Sequence, residues 1–579
     1  MKQKTDWAKI AKHCKCVESK LFSAFEKRKS HLLDICREIY PIGIAGLSRG
    51  VDELSDGYVY DDEHRMLTTE PLEALRRGAA GFHGNLTSPA TPWFRFRLGS
   101  RDDKHEANHE ERQLLADLTK ATREVFDRSN AYPSIHKLYE HCLAFGFGCM
   151  LVSADPKRIA RCETLRVGTY ALGIGEDGVV DTVVRRFAWT AGQIIRAFGR
   201  ASVPKYIADG YADPIKRYEI VNLIEPNACG DERVNDEIAE ELNLSNDAIY
   251  RSIFYLRCGN AATVNSGVLR VVGFSIKPLV APRLDYECGD IYGRGRGDDA
   301  LDLCRGCQSF KFDELNIVGT QSDPAFIADA ELKDEGLKKY RGAVNYARFG
   351  ESRAAMVLPL NPNPPSPNDA REERLDAQQE IAKLFYNDAF SVINNLRNQK
   401  TGQITATEVE NQVREAMQRL APVATLFDKE LLDPLCSIMA QYAISVRRTP
   451  LTAEEAAVLE EVDVEYVSAI HLAQKQSSIS AIQQMLQVAG TLAQLKPEIL
   501  YRIDLDKTFT TLADLIGFPE NCLVGDKAYG AAVQAQKQAA AQAQQMAQSQ
   551  ATAQAVRDVG SIPLDEDHAG SRLAQMMGV

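Results

Sequence analysis

Apolar positions recur every three to four residues, among many charges, from residue 5 to residue 40, which predicts one long amphipathic helix. Thr68 to Leu98 predicts a helix, a turn and a strand. Thr69 stands where it can cap a helix opening with Glu70 and Pro71, because proline has no N–H to leave unsatisfied in the first turn. Leu72, Leu75, Ala79 and Phe82 follow at helical spacing, while Gly78, Ala79, Ala80, Gly81 and Gly84 leave so little bulk that another backbone can approach closely. Ser88-Pro89 and Thr91-Pro92 forbid continuation, and Trp93, Phe94, Phe96 and Leu98 read as a strand. Further helices are predicted over Asn108 to Arg128 and Tyr132 to Phe145. The period then falls to two, giving strands at Cys149 to Ser153, Leu165 to Ile174, Val179 to Trp189, Lys216 to Ile224, Ile253 to Cys258 and Val268 to Ile276. A β-rich module is thus set into a helical frame, an α+β chain that is mainly helical.

Beyond the module, Ile291 to Gly297 is a glycine-rich turn leading into a helix from Asp298 to about Gly319. A poorly periodic segment with four prolines, Pro362, Pro364, Pro365 and Pro367, separates it from a second helix. Ser366 caps that helix, which runs unbroken through Ile381, Leu384, Phe385 and Phe390 to Ile393. Asn394 to Gly402 is a polar loop. Thr405 to Glu408 forms a capping box that starts the longest helix, with Val409, Val413, Leu420, Leu431, Leu435 and Ile438 near a 3.5-residue repeat. Pro422 and Pro434 are expected to kink it. Val462 to Ile470 reads as a strand returning to the β module, and Ser477 to Ala493 and Leu505 to Ile516 as helices. Lys527 to Val556 is almost wholly Ala and Gln, with high helix propensity and little to bury; a frayed segment and a bundle of copies both remain open. The last twenty residues read as lacking fixed structure.

Composition narrows the classes. The chain has 579 residues, enough for several domains or one large subunit of an assembly. No apolar run reaches the roughly 20 residues of a membrane helix, Cys142 to Val152 being the longest candidate, and the basic N-terminus lacks the apolar stretch of a secretory signal. A soluble protein made in the cytosol is expected. The net charge of −12, with 80 acidic against 68 basic residues, disfavours tight phosphate binding but not a wall past which DNA must slide without sticking. The 13 cysteines form no disulfide framework. Cys304-Arg-Gly-Cys307 lacks the second pair that a zinc ribbon needs.

His105-Glu106-Ala-Asn-His109 matches the H-E-x-x-H spacing that places two imidazoles and a general base on one helix face. Its flanks, Arg101 to Lys104 and Glu110 to Arg112, are charged where a buried zinc site would be apolar, and no third ligand stands out. A solvated helix start, which favours acidic residues, explains it without a metal. Gly293-Arg-Gly295-Arg-Gly297 lacks the third glycine of a dinucleotide fingerprint and the Gly-Lys-Ser/Thr of an ATPase loop. No cofactor is called for, and no enzyme activity.

The wording of several segments resembles the head-to-tail connecting, or portal, proteins of short-tailed bacteriophages. Pro71-x-x-x-Leu75 followed by small residues, Leu86-Thr-Ser-Pro89 and Pro92-Trp-Phe94 carry it first. Ser129-Asn130, Phe145-Gly-x-Gly148, the glycine turn before Asp298, Thr405-Ala-Thr-Glu-Val409, Leu420-x-Pro422 and Glu430-Leu-Leu-Asp-Pro-Leu435 continue it in order. The resemblance implies a portal fold: a wing over 1–297, a first stem helix over 298–320, a clip over 321–365, a second stem helix over 366–393, a channel loop over 394–404, a long kinked helix over 405–448, wing-return and crown helices over 449–526, and a tail over 527–579. It implies a ring of twelve subunits at one capsid vertex, a virion protein that assembles in the host cytoplasm and serves genome packaging, tail attachment and DNA ejection. Its partners would be the major capsid protein, a scaffolding protein, the terminase ATPase, tail adaptors and passing double-stranded DNA, with no membrane. In the channel loop, Arg397 and Lys400 would supply positive charge and Asn395, Asn398 and Gln399 neutral donors. A zinc-dependent hydrolase on the His105–His109 motif and a helical scaffold without a channel are the alternatives.

Overall fold

The computed structural model describes residues 6–48, 66–98, 109–213, 215–228, 237–242, 244–245, 247–258, 264–322, 326–328, 357–359, 366–397, 406–446, 462–495, 503–516 and 526–560. The first helix, α1 (Trp7–Glu38), starts at Asp6, whose carboxylate accepts from the Ala8 and Lys9 amides at 3.0 and 3.3 Å. Its buried face includes Ile10, Cys14, Phe22, Phe25, Leu32 and Ile35, as the sequence period requires. A short α2 (Ile44–Ser48) precedes α3 (Glu70–Leu86), strand β1 (Phe94–Leu98), α4 (His109–Arg128) and α5 (Ala131–Phe145). Thr69 makes no side-chain cap to α3; the Thr68 hydroxyl instead accepts from the Glu70 amide at 3.5 Å.

The β module follows: β2 (Met150–Asp155), β3 (Ile159–Thr164), β4 (Tyr170–Ile174) and β5 (Val180–Thr190), then α6 (Ala191–Phe198) and α7 (Lys205–Ala208), β6 (Arg217–Pro226), α8 (Glu237–Leu242), β7 (Tyr250–Leu256), β8 (Val268–Phe274) and β9 (Leu279–Val280). The strand expected over Leu165 to Ile174 starts only at Tyr170, because Gly168 turns the chain at φ +96°. All pairings are antiparallel, in the orders β4-β5-β6-β7-β8 and β3-β2-β9. Helix α1 is tied to the larger sheet at Glu18, which accepts from the Tyr255 hydroxyl at 2.6 Å and from Arg186 at 2.8 Å.

The remaining elements are α9 (Arg296–Ser322), the short antiparallel strands β10 (Phe326–Ala328) and β11 (Val357–Pro359), α10 (Pro367–Leu384), α11 (Asn387–Arg397), α12 (Ala406–Phe427), α13 (Asp433–Val446), β12 (Val462–Tyr466), α14 (Ala469–Leu495), α15 (Leu505–Ile516) and α16 (Asp526–Gly560). Three expectations are corrected here. The second stem helix is not continuous to Ile393 but breaks at Phe385–Tyr386 and resumes as α11. The segment at 462–470 does not rejoin the β module: β12 pairs with β1, Phe94 opposite Tyr466, and the chain is helical again from Ala469. The long kinked helix keeps its α form across Pro422 and departs from it in a π-helical turn at Asp428–Leu432, just before Pro434. The Ala/Gln-rich segment is one 35-residue helix whose described side chains are exposed, apart from a half-buried Val533.

Candidate channel hairpin and its seat

Helices α9 and α10 lie antiparallel. The start of α10 meets the end of α9 through Arg374 and Glu314 at 3.1 Å, and the start of α9 meets the end of α10 where Arg296 donates to the Tyr386 hydroxyl at 2.7 Å. At about 1.5 Å per residue, the 27 residues of α9 span about 40 Å. The pair carries six basic and ten acidic side chains, a net of −4. Toward the end of α9, Phe312, Leu315 and Val318 are 55%, 49% and 49% exposed, an apolar edge that none of the described residues covers.

Tyr386 sits at φ +63°, a left-handed conformation unusual for a bulky residue. No glycine or proline lies between Asn368 and Arg397, so local sequence does not demand the break. Tertiary contacts impose it. A Cβ on Gly78 of α3 would lie 2.5 Å from the Phe385 carbonyl, and one on Gly81 would lie 2.2 Å from the Phe390 ring. The two glycines therefore let α3 receive the broken helix against its backbone. Beside them Phe82 packs on Phe390, Phe427 and Tyr386, with ring centroids 4.9, 5.3 and 5.8 Å apart.

From this seat α11 runs out and α12 runs back, joined across the hairpin by Arg419 and Asp388 at 2.6 Å. Asn395 and Arg397, two of the expected channel-loop residues, lie in the last turn of α11, so residues 394–397 of the expected loop are helical. Asn398, Gln399 and Lys400 lie outside the described residues, as do Thr405 of the capping box, His105 and Glu106 of the H-E-x-x-H motif, and residues 561–579 of the tail. Residues 329–356 of the expected clip lie outside them too. His109 is the first residue of α4.

The returning helix is anchored at its π turn. Glu430 accepts from the buried Arg283 twice, from its amide at 2.7 Å and its guanidinium at 3.0 Å; that guanidinium also donates to the Asp290 and Gly178 carbonyls, each at 2.8 Å. Asp428 meets His471 of α14 at 2.8 Å, and Asp433 accepts from the Tyr466 hydroxyl of β12. Burial raises the Asp433 carboxyl above the ordinary range against the opposing pull of that hydroxyl. One turn of helix thus ties the hairpin to the loop before α9, to β12 and to α14. Sequence reasoning missed Arg283, whose signal is only a lone arginine among apolar neighbours; it also missed Tyr386, which carries none.

Among the described residues, no group of His, Cys, Asp or Glu side chains is placed to hold a metal ion, and no helix is long and apolar enough to cross a membrane. Cys304 and Cys307 are buried thiols, and burial raises the Cys304 thiol well above its usual range.

Compared with known proteins, residues 11–524 match the family described as bacteriophage head to tail connecting protein. The "Probable portal protein" of Bordetella phage BPP-1 is 26% identical over 490 residues, covering 82% of this chain and 84% of that protein. The "Portal protein" of Salmonella phage epsilon15 is 26% identical over 519 residues, 88% of each chain. Among solved structures, a chain in the neck of an empty GTA particle aligns at 12% identity and a TM-score of 0.33 over 75% of this chain and 89% of its own length, too loose a match to argue from.

Proposed function

The chain belongs to the bacteriophage head to tail connecting proteins, and from that premise we propose that it forms a ring whose central channel carries double-stranded DNA at one vertex of the capsid. Its function is that of a portal, the connector between phage head and tail. It is a structural part of the virion neck. The observation that carries the proposal is the extent of the family match, which takes in the stem pair, the helix break and the hairpin together. A zinc hydrolase or a helical scaffold without a channel is not favoured by that match.

In the proposed ring of twelve, α9 and α10 are the stem, residues 321–365 the clip, and the α11–α12 hairpin carries the channel loop. Arg397 and Lys400, with Asn395, Asn398 and Gln399, then face passing DNA. Two weak phosphate contacts repeated around a ring give a shallow potential, and a stem with a net charge of −4 does not hold the duplex. The wing meets the major capsid and scaffolding proteins, the clip takes the terminase ATPase during filling and tail adaptors afterwards, and the ring is assembled in the host cytoplasm. The double variant Arg397→Ala with Lys400→Ala is expected to assemble rings normally and to lose DNA packaging or retention; packaging at the native level would remove the role assigned to the loop.

A further inference from the structure

Most arginines that cross-link the wing are taken by carboxylates: Arg185 by Glu163 at 2.6 Å, Arg186 by Glu18 and Arg251 by Glu225, both at 2.8 Å. The lobe between β5 and β6 is different. It has its own small core, where Ala191, Ile194, Val203 and Ile207 pack on Phe187, Ile220 and Leu256. On its surface Arg196, Arg200, Lys205, Lys216 and Arg217 are all exposed, and none has an ion-pair partner among the described residues. The acidic side chains of residues 196–217 are Asp209 and Asp213, so these 22 residues carry a net charge of +3 in a chain of −12. Asp213 is in addition spent on the Ile215 and Lys216 amides at 2.9 and 3.1 Å.

Aromatic rings stand among these cations. Tyr211 is 59% exposed and lies over Gly192, with Arg196 alongside. Gly210 sits under the Tyr218 hydroxyl, the Tyr206 ring is 6.3 Å from that of Tyr218, and the Lys216 ammonium is 5.6 Å from the same ring. The two glycines thus let tyrosines and basic side chains lie side by side, and Asp209 and Asp213 are too few to neutralise the five cations.

We propose that this lobe, on α6, α7 and the start of β6, is a second DNA-contact surface that takes the phosphates of duplex DNA outside the channel. Charge complementarity argues for the polyanion: unpaired, solvated cations with tyrosine hydroxyls beside them are suited to a phosphate backbone. The overall negative charge does not prevent it, because at physiological salt the Debye length is about 8 Å and acidic groups farther off are largely screened. The inference takes DNA as the polyanion from the portal reading, but the two fail separately.

The test uses the purified full-length protein and a fluorescent 30-base-pair duplex of arbitrary sequence, titrated by anisotropy. If about three phosphates are neutralised, the affinity falls about 40-fold between 50 and 200 mM salt. Arg196→Glu with Arg200→Glu and Lys205→Glu weakens binding at least tenfold at 100 mM salt with an unchanged melting temperature, and Lys216→Glu alone weakens it less. Equal binding by the triple variant, or affinity independent of salt, overturns the proposal. So does displacement of the duplex by polyglutamate at equal charge, which assigns the lobe to an acidic protein segment. Rings that form while the lobe ignores DNA refute this inference alone, and a protein that binds DNA through the lobe but never forms rings refutes the portal reading alone.

Discussion

The platform around α3 and the stem pair α9–α10 are completed in different ways. Around α3 the aromatic side chains pack on one another: Phe82 is fully buried among Tyr139, Tyr386, Phe390 and Phe427, and two glycines seat the helix break against the backbone. The stem meets itself along one face only, and among the described residues its far end leaves Phe312, Leu315 and Val318 exposed. The platform is therefore a folding unit, and the stem is a surface awaiting neighbours. An apolar edge of this kind marks an interaction site.

Phe82→Ala is expected to have the largest effect, about 3–5 kcal/mol of lost stability, since it empties the centre of the ring cluster; chemical denaturation measures it. Arg283→Met follows closely. It strands Glu430 at the π turn, a loss on the order of 3 kcal/mol, and adding Glu430→Leu is expected to restore much of it. In the stem the pattern reverses: Phe312→Ser and Leu315→Ser are expected to leave the melting temperature of the isolated chain almost unchanged, within about 0.5 kcal/mol each, while ring formation measured by sedimentation falls sharply. A large drop in protomer stability on those two changes would erase the distinction between platform and stem.

A further prediction concerns pH. Burial, then Lys137 and Arg166, hold the His141 imidazole down at about 3, and burial with His136 nearby holds His83 at about 4, both against an ordinary 6.5. The unfolded chain therefore takes up these protons first. Stability is complete above about pH 6.5 and declines as the pH falls from there toward the folded values. Melting curves across that window show the decline, and His141→Phe is expected to flatten it.

The same contrast governs how much could be read in advance. The period-3.6 and period-2 patterns of residues 7–274 lead to α1, α3, α4, α5 and the main strands within a few residues, because each buries its own apolar face. The break at Tyr386 was not legible, since Asn368 to Arg397 holds neither glycine nor proline and an unbroken helix is its local preference. Gly78 and Gly81 announced a close approach but not what approaches. The pairing of β1 with β12 joins residues some 370 apart, as in the Arg95–Glu465 contact, beyond the reach of any local pattern. As for the hairpin, two helices flanking a polar turn were visible in the sequence, while its anchoring by Glu430 and Asp428 depends on a π turn that no residue pattern signals.

Negative-stain imaging of the purified protein tests the central claim most directly. Rings with a central hole are expected; monomers under every condition tried would contradict a portal subunit whose stem is completed by its neighbours.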